Sequence, residues 1–156
     1  MRLKWPNDLW VHSKKICGIL SEVELDKENQ VKFVIVGVGL NVNAESKDFS
    51  KEVASIATSL YLETREKQSK SKIAGAILDS VYQEYEAYLK DGFLNFKEKW
   101  EKAADVRGKR VKVLDPLSPL EGICEGLDSS GALLIKSGEM LHPVIAGDVQ
   151  FVSVPD

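Results

Sequence analysis

The pattern of this sequence predicts an α+β fold: a mixed or antiparallel sheet packed by helices, followed by a small antiparallel β-barrel. Three observations carry that prediction. Apolar and β-branched runs broken by turn residues fill roughly the first forty positions, apolar residues at three- and four-residue steps take over through the middle of the chain, and from Arg107 onward come short β-like runs separated by turn residues.

The elements follow in order. Residues 2–5 and 9–12 read as short extended pieces joined at Pro6-Asn7-Asp8, where proline fixes its own φ and Asn and Asp favour turns. In 15–25, Ile16, Ile19, Leu20, Val23 and Leu25 suit a strand, and polar residues 26–30 supply a hairpin loop. The return strand, 31–38, is "VKFVIVGV", so apolar that burial on both faces is expected, and it closes at Gly39-Leu40-Asn41. Helices are expected over 53–62 and 71–90. The second carries Ile73, Ile77, Val81, Tyr85, Tyr88 and Leu89 as a stripe expected to face the sheet, with Ser69 or Ser71 as cap and Gly92 at the end. Phe93, Phe96 and Trp100 form a further one-sided set on a short helix. The pattern breaks at Ala103-Ala104-Asp105, which places a domain boundary between 1–104 and 105–156. Beyond it, "KRVKVL", "DPLSPLEG", "GLDSSGALLIK", "SGEMLHPV" and "GDVQFVSV" are the runs of a small barrel.

Bulk properties exclude several function classes. The chain has 156 residues, 21 basic and 24 acidic, for a net charge of −3, so neither a nucleic-acid footprint nor a polyanionic tail is indicated. No apolar stretch reaches the roughly 20 residues of a membrane span, and the N-terminus lacks a signal-peptide core, which predicts a cytoplasmic protein. Cys17 and Cys124 belong to no C-x-x-C pair and are expected reduced and packed; His12 and His142 are equally isolated, so a zinc site is not expected.

One ordered set of motifs stands out: "KWPND" from Lys4 to Asp8, "KICGIL" from Lys15 to Leu20, and "GVGLNVN" from Gly37 to Asn43. Their order and spacing, with the small barrel behind them, resemble the biotin–protein ligases over nearly the whole chain. The matching part is the second half of that family's class II synthetase-like catalytic domain plus its C-terminal SH3-like domain. The resemblance implies ATP-dependent formation of biotinyl-5′-AMP, with release of pyrophosphate, and transfer of biotin to a lysine of a carboxylase carrier domain. ATP, biotin and Mg²⁺ are the implied cofactors and substrates, and the carrier domain the implied partner.

Phosphate chemistry accounts for lysines beside an apolar strand. The biotin carboxylate and the ATP α-phosphate are both anionic, so a fixed cation must offset their repulsion and the growing charge of the transition state. The resemblance gives that role to Lys15, ahead of a segment in which Cys17 replaces the family's usual alanine. Lys14 is expected on the opposite face, since strand side chains alternate. Gly18, which in another strand would merely mark a bulge, lets the backbone lie against the ligand. Asp8 is placed either to hold magnesium bridging the phosphates or to orient a lysine, and Lys4 either to pair with Asp8 or to help neutralise phosphate. Asn7 joins this binding set, although P-N-D is by default only a turn. Asn41, with Gly39 ahead of it, offers a donor and an acceptor edge to adenine, whereas Asn43 is the better example of a turn asparagine. Thr58-Ser59-Leu60 opens a helix as a cap.

The family's glycine- and arginine-rich loop and its adenine-stacking aromatic residue lie upstream of K-W-P-N-D, outside this sequence; Val106-Arg107-Gly108-Lys109-Arg110 is a basic strand start and not that loop. The chain is therefore expected to be weakly active or inactive alone, through loss of charge-assisted phosphate contacts worth about 1.5–3 kcal/mol each. Part of its sheet is expected to be uncovered and to pair with a separate N-terminal ligase half or to form a homodimer. Two alternatives compete: a non-catalytic partner-binding module, and a lipoate-attaching relative of the same broad fold.

Overall fold

The computed structural model describes residues 1–114 and 119–152; the turn-rich stretch 115–118 within "DPLSPLEG", and the last four residues, lie outside the described residues. The chain divides into two compact units, one formed by Met1 and Asn7–Ile73, the other by Arg2–Pro6 and Ala74–Asp156.

In the first unit, β2 (Asp8–Val11), β3 (Lys14–Leu25) and β4 (Val31–Leu40) pair antiparallel in that order. The loop between β3 and β4 is organised by Asp26, whose Oδ1 accepts the N–H of Glu28 and of Gln30 at 2.9 and 2.8 Å, with Asn29 taking the left-handed conformation at φ 59°. The expectation that 31–38 is buried on both faces is wrong: Val31, Phe33, Val34, Ile35, Val36 and Val38 are all exposed. Among the described residues β4 is an edge strand, paired with β3 alone, so its β-branched residues signal strand but not burial.

The expected helix over 53–62 is two short ones, α1 (Lys51–Ala54) and α2 (Leu60–Thr64). The residues between them leave helical geometry to bridge β3 in parallel at Lys15–Ala57, and those backbone bonds outweigh the weak local helical preference. Ser59 caps α2, its buried Oγ accepting the N–H of Leu62 at 3.1 Å and donating to the Ala44 carbonyl at 2.6 Å. Helix α3 (Lys70–Asp91) is capped by Ser69, whose Oγ accepts from the Lys72 N–H, and it ends at Gly92 in the left-handed conformation, φ 72°. Its stripe departs from expectation: no residue of α3 is buried, and Val81, Tyr85, Tyr88 and Leu89 are exposed.

In the second unit, β1 (Arg2–Lys4) and helix α4 (Leu94–Ala104) accompany five antiparallel strands, β5 (Arg110–Leu114), β6 (Leu120–Leu127), β7 (Leu133–Ser137), β8 (Met140–Val144) and β9 (Asp148–Phe151), in the sheet order β8-β7-β6-β5-β9. Alternation along β5 buries Val111 and Val113 with Cys124, Leu127, Leu133, Ile135 and Val149. Trp5 and Ala104 join that core, and Phe93 and Trp100 pack against it. Glu101 accepts the Leu127 N–H at 2.7 Å, tying α4 to the sheet where Gly126 turns at φ 106°.

Candidate functional site

The site-bearing residues of the first unit gather on one face of the β2–β3–β4 ladder, and a bulge puts them there. Asp8 pairs with Gly18 and Leu9 with Cys17, but Trp10 pairs with Lys15, so one extra residue, Ile16, is accommodated in β3. Paired residues share a face, as do residues two apart on one strand. Asp8 and Trp10 therefore share a face, and so do their partners Gly18 and Lys15; a regular ladder would have set Lys15 on the other side. Lys14, paired with Val11, points away from it, as expected.

On that face the Lys15 Nζ meets Asp8 Oδ1 at 2.6 Å. The ammonium crosses Gly18 to do so: a methyl group there would stand 3.0 Å from both Cε and Nζ of Lys15 and 3.5 Å from the Asp8 oxygen. Gly18 in turn pairs with Gly39 and Leu20 with Gly37, which keeps the floor low. The result is an open groove of about 480 Å³ lined by Asn7, Lys15, Gly18, Ile19, Leu20, Gly37, Val38 and Gly39.

The remaining predicted residues are placed as follows. Asn7 is committed to the backbone of Ile19: its carbonyl accepts the Ile19 N–H at 2.9 Å, and its side-chain amide donates to the Ile19 carbonyl. Asn41 lies at the end of β4, where its Nδ2 donates to the Thr58 carbonyl at 3.0 Å, leaving one amide N–H and Oδ1 for a further partner. Asn43 is no left-handed turn residue; its amide donates to the Gln68 carbonyl at 2.8 Å and accepts the Gln68 N–H at 2.9 Å, a two-bond clamp on the chain ahead of α3. Lys4 belongs to the second unit, where its ammonium pairs with Asp148. Cys17, one position before Gly18, is buried and reduced, and burial pushes its thiol pKa up, partly offset by the Lys15 charge.

Of the two roles open to Asp8, the geometry fits the orientation of a lysine. Its carboxylate is engaged by Lys15, and among the described residues no three His, Cys, Asp or Glu side chains group in a way that could hold a metal ion. Among the described residues, no helix is long and apolar enough to cross a membrane.

Sequence reasoning read Thr58 only as part of a helix-opening cap and did not single out Glu63. Thr58 is 2 % exposed, its hydroxyl donates to Glu63, and its backbone bonds both Lys15 and Asn41. A long-range parallel bridge of this kind leaves no periodic trace in the sequence.

Two family models match the chain: the biotin/lipoate A/B protein ligase family over residues 1–41 and the biotin protein ligase C terminal domain over residues 107–152. Among curated relatives, the bifunctional ligase/repressor BirA of Bacillus spizizenii is 34% identical over 148 residues, 95% of this chain and 45% of the relative. The biotin–[acetyl-CoA-carboxylase] ligase of Mycobacterium tuberculosis is 33% identical over 159 residues, 94% of this chain and 52% of the relative. The chain thus spans about half the length of these relatives. Among solved structures, a biotin protein ligase from Aquifex aeolicus superposes with a TM-score of 0.82 at 27% identity, over 97% of this chain and 65% of that one. The same enzyme in complex with biotin and ATP superposes with a TM-score of 0.78 at 28% identity, over 98% and 62%. With the two models together matching more than half of the chain, curated relatives that are biotin ligases and the fold shared along nearly its whole length, this chain belongs to the biotin protein ligase family.

Proposed function

We propose that this chain supplies the second half of a biotin protein ligase catalytic domain, residues 1–104, and its SH3-like C-terminal domain, residues 105–156. It would act in the cytoplasm in forming biotinyl-5′-AMP and passing biotin to a lysine of a carrier domain. The observation that carries the reading is Lys15, held over Gly18 by Asp8 at the rim of an open groove.

In the first step a biotin carboxylate oxygen attacks the ATP α-phosphorus and pyrophosphate leaves; in the second the carrier lysine amine attacks the acyl carbon and AMP leaves. Lys15 offsets the charge of the two approaching anions and of the α-phosphoryl oxygens in the transition state, a contribution worth several kcal/mol where the donor is held in place beforehand. Asp8 pre-positions the ammonium, and Gly18 and Gly39 let a flat ligand lie close to the strand backbone. Asn41 reads the base, and Asn7 holds the groove wall by saturating Ile19. Lys4 is retained as a phosphate-neutralising candidate on motif position alone. Magnesium would arrive on the ATP phosphates.

The exposed apolar residues of β4 support a covering partner, either an N-terminal ligase half or a second copy of the chain. The test is biotin- and ATP-dependent pyrophosphate release by the purified chain with and without an added N-terminal ligase half. Release only on addition is expected; silence in both conditions from folded protein would favour a partner-binding module. The match of residues 1–41 to a model covering lipoate ligases keeps the lipoate reading testable in the same assay, by replacing biotin with lipoate.

A further inference from the structure

Residues 55–59 connect α1 to α2, with a turn at 55–56 and a bridge to β3 at Ala57, and both nucleotide-facing candidates are tied to this segment. Lys15 donates its backbone N–H to the Ile56 carbonyl at 2.8 Å, and its carbonyl accepts the Thr58 N–H at 2.9 Å. The Thr58 carbonyl then accepts the Asn41 side-chain amide at 3.0 Å. The two polar groups of a single peptide residue therefore hold the backbone of Lys15 and the side chain of Asn41. Thr58 is itself fixed from α2: its buried hydroxyl donates to Glu63 Oε1, and its neighbour Ser59, fully buried, caps the same helix. The second Glu63 oxygen lies 3.7 Å from His12 Nε2.

Resting on the reading of the groove as an adenylate site, we propose that Thr58, anchored by Glu63, is a positioning residue that sets the spacing of Lys15 and Asn41 and fixes the order in which Asn41 presents its amide to adenine. An asparagine amide that turns freely can present its donor and acceptor in either order. Turning this one by 180° would set Oδ1 against the Thr58 carbonyl, two acceptors facing each other, so a single orientation is held. The remaining N–H and Oδ1 are then held in fixed order, the order that the acceptor–donor pair N7 and N6 of adenine requires. Holding the amide in that order beforehand spares adenine binding the cost of ordering a free side chain.

The test uses the ligase assembled from this chain and an N-terminal ligase half. Thr58→Val and Glu63→Ala are expected to raise the KM for ATP about tenfold, the effect of losing one hydrogen bond to a charged group. They should leave the KM for biotin within about twofold, while Thr58→Ser, which keeps the hydroxyl, keeps the wild-type values. Lys15→Ala serves as the control for the reading itself. If Lys15→Ala lowers adenylation by about two to three orders of magnitude and both positioning variants leave the ATP KM unchanged, the inference fails and the reading survives. Equal rises in both KM values would also overturn it, because a general distortion of the fold does that. A wild-type assembly that releases no pyrophosphate with biotin and ATP overturns the reading and the inference together.

Discussion

The Nζ of Lys15 stands 2.6 Å from Oδ1 of Asp8, and only the missing side chain of Gly18 lets it pass. The pair is half exposed on the lysine side, so its worth to stability is small, at most about 1 kcal/mol. Its use is to aim a cation.

Lys15→Ala is accordingly expected to lower the rate of adenylate formation by about two to three orders of magnitude, the usual loss when one pre-positioned charge-stabilising donor is removed. Its unfolding free energy should stay within about 1 kcal/mol of wild type. Single-turnover biotinyl-AMP formation and urea unfolding check the two halves, and a folded variant with unchanged adenylation would remove Lys15 from the site.

Gly18→Ala separates geometry from folding in another way. The new methyl presses on the far end of a flexible lysine, which can shift aside, so Tm should change little while the ammonium is displaced from its place over the strand. A drop in adenylation of about tenfold with an unchanged Tm is expected; a large loss of Tm would mean that the glycine serves packing.

Both thiols are buried, and burial raises the pKa of each, so little reactive thiolate forms at neutral pH. A disulfide reagent at pH 8 is expected to label neither Cys17 nor Cys124 quickly in the native chain and both at once in denaturant. Rapid native labelling of Cys17 would show that β3 opens locally.

The β6–β7 turn offers a pH prediction. Asp128 accepts the Ser130 hydroxyl at 2.8 Å and the Ser130 and Ala132 N–H groups at 2.7 and 3.0 Å, and the Ser130 bonds lead in holding its carboxyl below the usual carboxylate range. A depressed folded value stabilises above the unfolded pKa of about 3.9 and is lost as pH falls through the folded value. The stability gap between wild type and Asp128→Asn should therefore be widest near neutral pH and close in acid. Urea midpoints at pH 7 and pH 3 measure it, and a gap that widens in acid would contradict the assignment.

Exposed Phe33, Ile35 and Val36 on an edge strand predict self-association. Val36→Lys should shift the chain towards monomer in sedimentation without loss of Tm; an unchanged distribution would exclude pairing through this edge.

What the sequence determined by itself was local: the β3–β4 hairpin with its Asp26 loop, the Ser69 and Gly92 ends of α3, the alternation that buries Val111 and Val113, and a motif order specific enough to name the family. These depend on residue type over a few neighbouring positions. Only the tertiary structure decided that "VKFVIVGV" is an edge, that 53–62 breaks to bridge Lys15, and that Asn41 and Lys15 share Thr58. It also decided, through the bulge at Ile16, which face Lys15 occupies. Burial, strand partners and register depend on which distant segment supplies the other half of each hydrogen bond, and periodicity along one chain carries no record of that choice.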